Sequence, residues 1–134
     1  LLTVSTSVSP FLTEELAALK LTTSADKRFW ASSKDKRVRV EFSKKTPTEL
    51  VGLDIEISGN LPLGAGLSAS AALSAGLVQI LQLVHHSPLS EEDLIQIAYE
   101  TEREFVGTQC GYMDPYAVVK SKADHLLLLN NSDL

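Results

Sequence analysis

The sequence predicts a single domain built from both strands and helices, and three stretches carry that prediction. Arg37 to Phe42 alternates polar and apolar side chains, which is typical of a half-buried strand. Leu67 to about Val84 is rich in Ala and Leu, as expected for a helix buried on most of its sides. Ser90 to about Val106 has apolar residues at helical spacing. With 134 residues, 44% of them hydrophobic, the chain can form one modest core.

The first strand is predicted to pair with a second one. Its apolar residues share one face: Val38, Val40 and Phe42. The same alternation recurs from Leu53 to Ile57, and the turn-prone residues 44–48 separate the two stretches. The simplest prediction is therefore an antiparallel pair, followed by a loop over residues 59–66.

The stretch from Ile57 to Ser90 contains no Asp, Glu, Lys or Arg. Pro62 and two glycines interrupt its beginning, and Ser and Gln residues interrupt the rest. No clean run of about 20 apolar residues remains, so a membrane span is not expected. A helix buried inside a domain accounts for the pattern better.

The second helix has a clear start signal. Ser90 is placed as the N-cap, with Asp93 at the capping-box position three residues later. Its predicted buried stripe consists of Leu94, Ile97, Ala98 and Phe105. Gly107 is expected to end the helix.

Three shorter elements are predicted after Gly107. Thr108 to Met113 has the composition of a turn, and Asp114 to Val119 should form a short helix, because Pro115 is tolerated in a first helical turn. His125 to Leu129 is predicted to be a buried strand. Near the other end of the chain, Thr13 to Leu16 resembles the start of a short helix.

The charge pattern argues against a broad nucleic-acid surface. The formal net charge is −5, although nine of the twelve Lys and Arg residues lie between Lys20 and Lys45. Acidic residues interrupt this basic stretch and no aromatic ladder accompanies it, so a solvated surface is the preferred interpretation. Nucleic-acid binding stays open as an alternative, and it predicts an affinity that falls steeply with salt.

The cysteine content bears on the compartment. Cys110 is the single cysteine, which excludes an intramolecular disulfide and a zinc site with several thiolates. A reducing, cytoplasmic location is expected. The chain begins Leu1-Leu2-Thr3 without Met or a basic leader, so a trimmed or partial chain is also expected.

The most informative stretch runs Pro-Leu-Gly-Ala-Gly-Leu-Ser-Ala-Ser-Ala-Ala, residues 62–72. Glycines let the backbone approach an anion, small hydroxyls add donors, and the following helix offers unpaired N–H groups. The spacing fits neither a Walker loop nor a dinucleotide fingerprint. On the residues alone, a polyphosphate loop and a tight strand-to-helix connection both remain open.

This stretch resembles the second signature motif of the GHMP kinases, the superfamily of galactokinase, homoserine kinase, mevalonate kinase and phosphomevalonate kinase. A second stretch, Glu-Thr-Glu-Arg-Glu-Phe-Val-Gly-Thr-Gln-Cys-Gly-Tyr-Met-Asp at residues 100–114, is similar to the galactokinase segment that delivers the catalytic aspartate. The two motifs stand in the family's order and at about its spacing. The resemblance covers roughly Ile55 to Leu129.

The resemblance implies that ATP and Mg²⁺ are the cofactors. The implied nucleotide-binding residues are Pro62, Gly64, Ala65, Gly66, Leu67, Ser68, Ala69 and Ser70. Glu102 lies where the family places a magnesium-ligating carboxylate. The family usually has a further serine, which helps to ligate the metal, where this chain has Ala69. Glu102 would then carry more of the metal binding.

The resemblance also implies that Asp114 is the catalytic residue, accepting or orienting the proton of the sugar's anomeric hydroxyl, and that Gly111 and Asp114 contact the sugar. Each residue has a simpler interpretation. Asp114 before Pro115 could be a helix cap. Glu102 could lie on a solvated helix face, and the pair His85-His86 suits a helix C-terminus better than a metal site.

The implied fold is the α+β arrangement of the GHMP N-terminal domain, related to the second domain of ribosomal protein S5. Residues 1–134 would form one partial domain of this type, without the C-terminal GHMP domain. Leu1 to Trp30 contains no match to the opening signature that supplies a catalytic arginine and sugar-clamping residues. The chain alone is therefore expected to be weakly active or inactive.

The implied function of the parent protein is phosphorylation of galactose at C1. The expected partners are the sugar and ATP, with no nucleic acid and no membrane, and the oligomeric state is left open. Two alternatives remain: a catalytically silent sensor of sugar and nucleotide, and another GHMP small-molecule kinase.

Overall fold

A computed structural model of the chain describes residues 2–8, 19–21, 36–50, 53–59, 65–106 and 111–130. Three strands are present in these ranges: β1 Leu2–Val8, β2 Leu19–Leu21 and β3 Leu53–Gly59. Four helices accompany them: α1 over residues 36–45, α2 Ala69–Val84, α3 Glu91–Val106 and α4 Met113–Lys120. Most of the described residues are therefore helical.

The three strands form one sheet with β3 in the centre. β1 pairs with β3 antiparallel, with Val4 opposite Ile57, and β2 pairs with β3 parallel, with Leu19 opposite Ile55. The predicted strand from Leu53 to Ile57 is thus confirmed, and Ile55 and Ile57 are buried as its alternation requires. Parallel neighbours need a crossover connection. Helix α1 lies in the chain between β2 and β3.

The predicted strand over Arg37 to Phe42 is wrong, and so is its antiparallel pairing with the strand after it, because residues 36–45 form helix α1. Val38 and Phe42 are fully buried, whereas Val40 is 49% exposed. Residues four apart lie on one face of a helix and also on one face of a strand. The burial of Val38 and Phe42 is therefore expected for either structure. The parallel pairing of β2 with β3 favours a helix between them.

Helix α2 ends at Val84 as predicted and begins at Ala69, slightly later than the predicted Leu67. It is buried along much of its length and packs on α3. Its buried apolar residues are Ala71, Leu73, Ala75, Leu77, Val78, Ile80 and Leu81. Among the described residues no helix is long and apolar enough to cross a membrane.

The predicted N-cap of helix α3, Ser90, is confirmed, and Asp93 bonds to the Ser90 hydroxyl rather than in the usual capping-box pattern. The Asp93 backbone N–H donates to Ser90 Oγ at 3.0 Å, and Ser90 Oγ donates to Asp93 Oδ2 at 2.8 Å. Leu94, Ile97 and Ala98 are buried against α2, as the predicted stripe requires. The side chain of Phe105, and Gly107 as the predicted helix end, lie outside what the structure describes.

The short helix predicted over Asp114 to Val119 is confirmed as α4, and it packs against both α2 and α3. The predicted buried strand over His125 to Leu129 is wrong: these residues are not in a strand, and Leu126 and Leu128 are 102% and 95% exposed. A strand requires a hydrogen-bonded neighbour, and none of the described strands pairs with this segment. The helix predicted from Thr13 lies outside the described residues.

Candidate phosphate and metal site

The loop before α2 reaches the surface in an unusual backbone conformation. Ala65, Gly66 and Leu67 are exposed, and residues 68–70 are half-buried. Gly66 has φ 70° and Ser68 has φ 52°, so both lie in the left-handed region, which costs energy for a residue with a Cβ. Such outliers are concentrated at functional sites. The predicted loop members Pro62 and Gly64 lie outside the described residues.

The side chains of helix α2 itself do not cap or neutralise its N-terminus. Ser68 is the N-cap residue, yet within the described structure its side chain makes no capping hydrogen bond, and the first turn of α2 contains no acidic residue. The first bond of the helix runs from the Ala72 N–H to the Ser68 carbonyl, at 2.9 Å. The amides before Ala72 have no intrahelical acceptor. This end of α2 is therefore suited to bind an anion.

A buried carboxylate lies beside this helix end. Glu102, on α3, is 8% exposed. Its Oε2 accepts a hydrogen bond from Ser70 Oγ at 2.6 Å, and its Oε1 accepts one from Ser74 Oγ at 2.7 Å. The fold thus brings together Ser70 and Glu102, which the sequence predicts for the nucleotide and the metal. The interpretation of Glu102 as part of a solvated helix face is wrong.

The donor set at this point suits a hard cation. One carboxylate and one hydroxyl present oxygen atoms next to the start of α2. In other proteins Mg²⁺ is often held by one or two carboxylates together with substrate phosphates. Nowhere in the described residues do three or more His, Cys, Asp or Glu side chains form a metal-binding group. The hydroxyl that meets Glu102 belongs to Ser70, so Ala69 does not remove this pair of oxygens.

Asp114 lies in the first turn of α4 and is half-buried, while the preceding Gly111 and Met113 are exposed. The interpretation of Asp114 as a helix cap is wrong, because Tyr112 is the N-cap residue and the helix begins at Met113. The carboxylate still interacts favourably with the positive end of the α4 dipole. At Gly111 an added Cβ would meet only the Met113 backbone N, at 4.0 Å.

The turn before Asp114 is held to α3 by Tyr112. The Tyr112 hydroxyl donates to Gln96 Oε1, and Gln96 Nε2 donates to Glu100 Oε1 at 2.7 Å. The Tyr112 ring also lies 4.3 Å, centroid to centroid, from the ring of Tyr99. Burial, followed by the nearby Glu100 charge, raises the pKa of Tyr112, so its hydroxyl remains protonated and available to donate at neutral pH.

Sequence reasoning missed Ser74 and Tyr112. A signal for Ser74 was present, because it lies four residues after Ser70 in a helix predicted to be buried, and a buried hydroxyl needs a hydrogen-bond partner. For Tyr112 no comparable signal exists. Its partner Gln96 lies on another helix and is identified only by the packing of α4 on α3.

The described part of the basic stretch is largely paired with acid. Arg37 forms ion pairs with Glu41 and Glu104, and Lys44 also pairs with Glu41, at 2.7 Å. Lys45 Nζ lies 2.9 Å from Asp93 Oδ1. These groups connect α1 internally and to α3.

Comparison with known proteins extends the likeness beyond the two motifs. The family model described as the GHMP kinases N terminal domain matches residues 35–122, from the start of α1 to the end of α4. The chain is also similar to the galactokinase of Bacillus subtilis (strain 168), with 38% identity over 101 residues. That alignment covers 75% of this chain and 26% of the relative, so the chain spans about a quarter of that galactokinase.

Proposed function

This chain belongs to the GHMP kinase family, and we propose that it forms the nucleotide-binding part of an ATP-dependent kinase that phosphorylates the C1 hydroxyl of galactose. The observation that carries the proposal is the hydrogen bond between Ser70 and Glu102 at the start of α2. It joins a loop suited to anions with a buried carboxylate suited to a divalent cation.

The phosphate groups of ATP bind at the loop and at the uncapped start of α2. The left-handed turn at Gly66 and Ser68 brings backbone amides to the surface, and the α2 dipole favours negative charge there. The hydroxyl of half-buried Ser68 adds a donor, whereas the Ser70 hydroxyl donates to Glu102. From the resemblance to the family we also assign Pro62, Gly64, Ala65, Leu67 and Ala69 to nucleotide binding.

Glu102 and Ser70 hold Mg²⁺ together with the phosphates. Held there, Mg²⁺ would supply positive charge against the phosphate oxygens, and this lowers the barrier to phosphoryl transfer. Glu102 Oε2, the oxygen that Ser70 contacts, is the one nearer to the start of the helix. The absence of a hydroxyl at Ala69 leaves this pair of ligands intact.

Asp114 accepts or orients the proton of the sugar hydroxyl. Phosphoryl transfer requires alignment of this hydroxyl with the γ-phosphate more than covalent chemistry by the protein. The position of Asp114 in α4, which packs against α2, is compatible with this task. Gly111, exposed and without a side chain, leaves room for the sugar beside the turn.

For the domain as a whole we infer the α+β fold of the GHMP N-terminal domain, similar to the second domain of ribosomal protein S5. The sheet of β1, β3 and β2 together with helices α1 to α4 supports it. In this arrangement residues 1–134 provide one wall of the cleft, and the C-terminal GHMP domain provides the other.

The test is an assay of the protein in its full natural length with ATP, Mg²⁺ and a panel of sugars, with the products identified by mass spectrometry and phosphorus NMR. Formation of galactose 1-phosphate is the expected result. Phosphorylation of a different small molecule would support the kinase activity and show that galactose is not the substrate. Binding of sugar and ATP without product would establish the sensor, and absence of both binding and product would overturn the proposal.

A further inference from the structure

Ser74 has a buried hydroxyl that contacts the carboxylate oxygen of Glu102 that Ser70 does not contact. It lies on α2 with no exposed surface, and its Oγ is 2.7 Å from Glu102 Oε1. The Ser70 backbone carbonyl lies farther away, at 3.2 Å. A serine hydroxyl has one hydrogen to donate, and the charged oxygen at the shorter distance is the stronger acceptor.

The two serines use one carboxylate in different ways. Ser70 and Ser74 are four residues apart, so they lie on the same face of α2 on successive turns. Each donates to a different oxygen of Glu102. The bond to Ser70 is near the half-buried start of the helix, whereas the bond to Ser74 is deep in the core. Together the two bonds fix the plane of the carboxylate.

We propose that Ser74 is a positioning residue for Glu102: its hydroxyl binds Oε1 so that Oε2 is presented to the cation at the start of α2. This inference rests on the proposed function. The physical reason is that a carboxylate that can rotate must be ordered when the ion binds, whereas one already held by a hydrogen bond is not reoriented at that step. Partners of this kind typically change metal affinity by about 10- to 100-fold when removed.

A purely structural role for Ser74 makes a different prediction. If the hydroxyl only satisfied a polar group in the core, its loss would lower stability without a selective effect on the cation. The readout must therefore be cation binding itself. Mn²⁺ is a suitable probe, because it resembles Mg²⁺ in its preference for oxygen ligands and its free concentration can be followed by electron paramagnetic resonance.

The experiment measures Mn²⁺ binding to the full-length protein saturated with a non-hydrolysable ATP analogue. Ser74→Ala keeps the volume of the site and removes the hydroxyl, and we expect Mn²⁺ to bind about 10-fold more weakly. Binding of the analogue without metal should be unchanged. Ser74→Thr retains the hydroxyl and should restore Mn²⁺ binding.

Thr46→Val is the matched control. Thr46 is also buried, and its hydroxyl donates to the Phe42 carbonyl, at 3.0 Å, within the α1 region rather than to Glu102. This variant loses a buried hydroxyl and should bind Mn²⁺ like the wild type. An equal loss of Mn²⁺ binding in Thr46→Val and Ser74→Ala would overturn the inference, since it would indicate a general effect of lost stability.

Unchanged Mn²⁺ affinity in Ser74→Ala would also overturn the inference. So would a loss of metal-free nucleotide binding as large as the loss of Mn²⁺ binding. Both results leave the proposed function standing, because wild-type protein would still bind Mn²⁺ with nucleotide. If the wild-type protein binds neither Mn²⁺ nor the nucleotide analogue, the proposed function is wrong, and so is the role proposed for Ser74.

Discussion

Ser70 Oγ lies 2.6 Å from Glu102 Oε2, so the first turn of α2 and the C-terminal half of α3 meet at one hydrogen bond. The two residues are 32 positions apart in the sequence. The bond places a carboxylate where the helix dipole, the loop amides and a hydroxyl converge. Ligand chemistry at this end of the domain depends on that convergence.

Replacement of Glu102 by Gln should weaken Mg²⁺ binding by the proposed kinase, so that the enzyme needs a higher Mg²⁺ concentration. The amide keeps the shape of the side chain and can still accept from one serine, but it loses the negative charge that Mg²⁺ prefers. We expect kcat/KM at a fixed low Mg²⁺ concentration to fall by about 100-fold. Steady-state rates over a range of Mg²⁺ concentrations measure this effect.

Glu104→Gln is the control for Glu102→Gln. Glu104 is on the same helix but its side chain is 47% exposed, where its ion pair with Arg37 contributes little. This variant should retain wild-type Mg²⁺ dependence. Equal losses of kcat/KM at low Mg²⁺ in the two variants would show that the Mg²⁺ dependence reflects the overall charge of α3 and not the contact of Glu102 with Ser70.

Replacement of Asp114 by Asn should separate catalysis from folding. Asp114 is not the N-cap residue of α4. Its replacement by Asn should therefore remove only the interaction of the charge with the helix dipole and lower the free energy of unfolding by about 0.3 to 1 kcal/mol. As the proposed acceptor of the substrate proton it should affect kcat by about 100- to 10,000-fold. Nucleotide affinity and the melting temperature, measured on the same samples, should change little. Normal kcat in Asp114→Asn would remove this residue from the mechanism.

The stability of the protein should depend on the ionisation of Glu41. Burial alone would raise the pKa of Glu41, but hydrogen bonds from Lys44 and Arg37 outweigh it and hold the pKa below its ordinary value. A carboxyl whose pKa is lower in the folded state stabilises the fold when it is ionised. That contribution is present above the unfolded pKa, about 4.3, and is lost as the pH falls through the folded pKa.

We therefore expect Glu41→Gln to lower the free energy of unfolding by about 1 kcal/mol at pH 7, since its cationic partners are partly exposed. The difference from wild type should shrink as the pH falls below about 4. Urea unfolding at several pH values measures it, with exposed Glu49→Gln as the control. A difference that stays constant on acidification would contradict the assigned ion pairs.

The helical structure of residues 36–45 can be tested with two matched substitutions. Val38 is fully buried and Val40 is 49% exposed. Val38→Ala should lower the free energy of unfolding by about 2 kcal/mol, and Val40→Ala by less than about 0.5 kcal/mol. Chemical denaturation compares them. A strand would place both valines on one face, so equal effects would favour the strand over the helix.

Loss of the α3 cap should affect stability and leave binding intact. Ser90→Ala removes the acceptor of the Asp93 N–H and should destabilise the protein by about 1 kcal/mol. Ser121→Ala is the matched control, because Ser121 ends α4 through its backbone N–H and not its hydroxyl. Thermal unfolding measures both variants. Equal melting temperatures for Ser90→Ala and wild type would contradict the assignment of Ser90 as the N-cap.

Local signals in the sequence were sufficient for three helices. Ser90 and Asp93 determine where α3 begins because the two groups bond to each other three residues apart. Pro115 is compatible with a first helical turn and places α4 correctly. The Leu-rich run after His125 was misleading, because apolar composition predicts burial only where another element covers it, and Leu126 and Leu128 are exposed.

By itself the sequence determined the α2 end, the limits of α3 and α4, and the family, since each depends on residues close together in the chain. The tertiary structure decided that α1 is a helix. Burial of Val38 and Phe42 fits both a helix and a strand, whereas the exposure of Val40 and the parallel pairing of β2 with β3 favour the helix. The tertiary structure also decided the partners of Glu102. Ser70 and Ser74 reach that carboxylate across the packing of α2 on α3, a contact that no local pattern specifies.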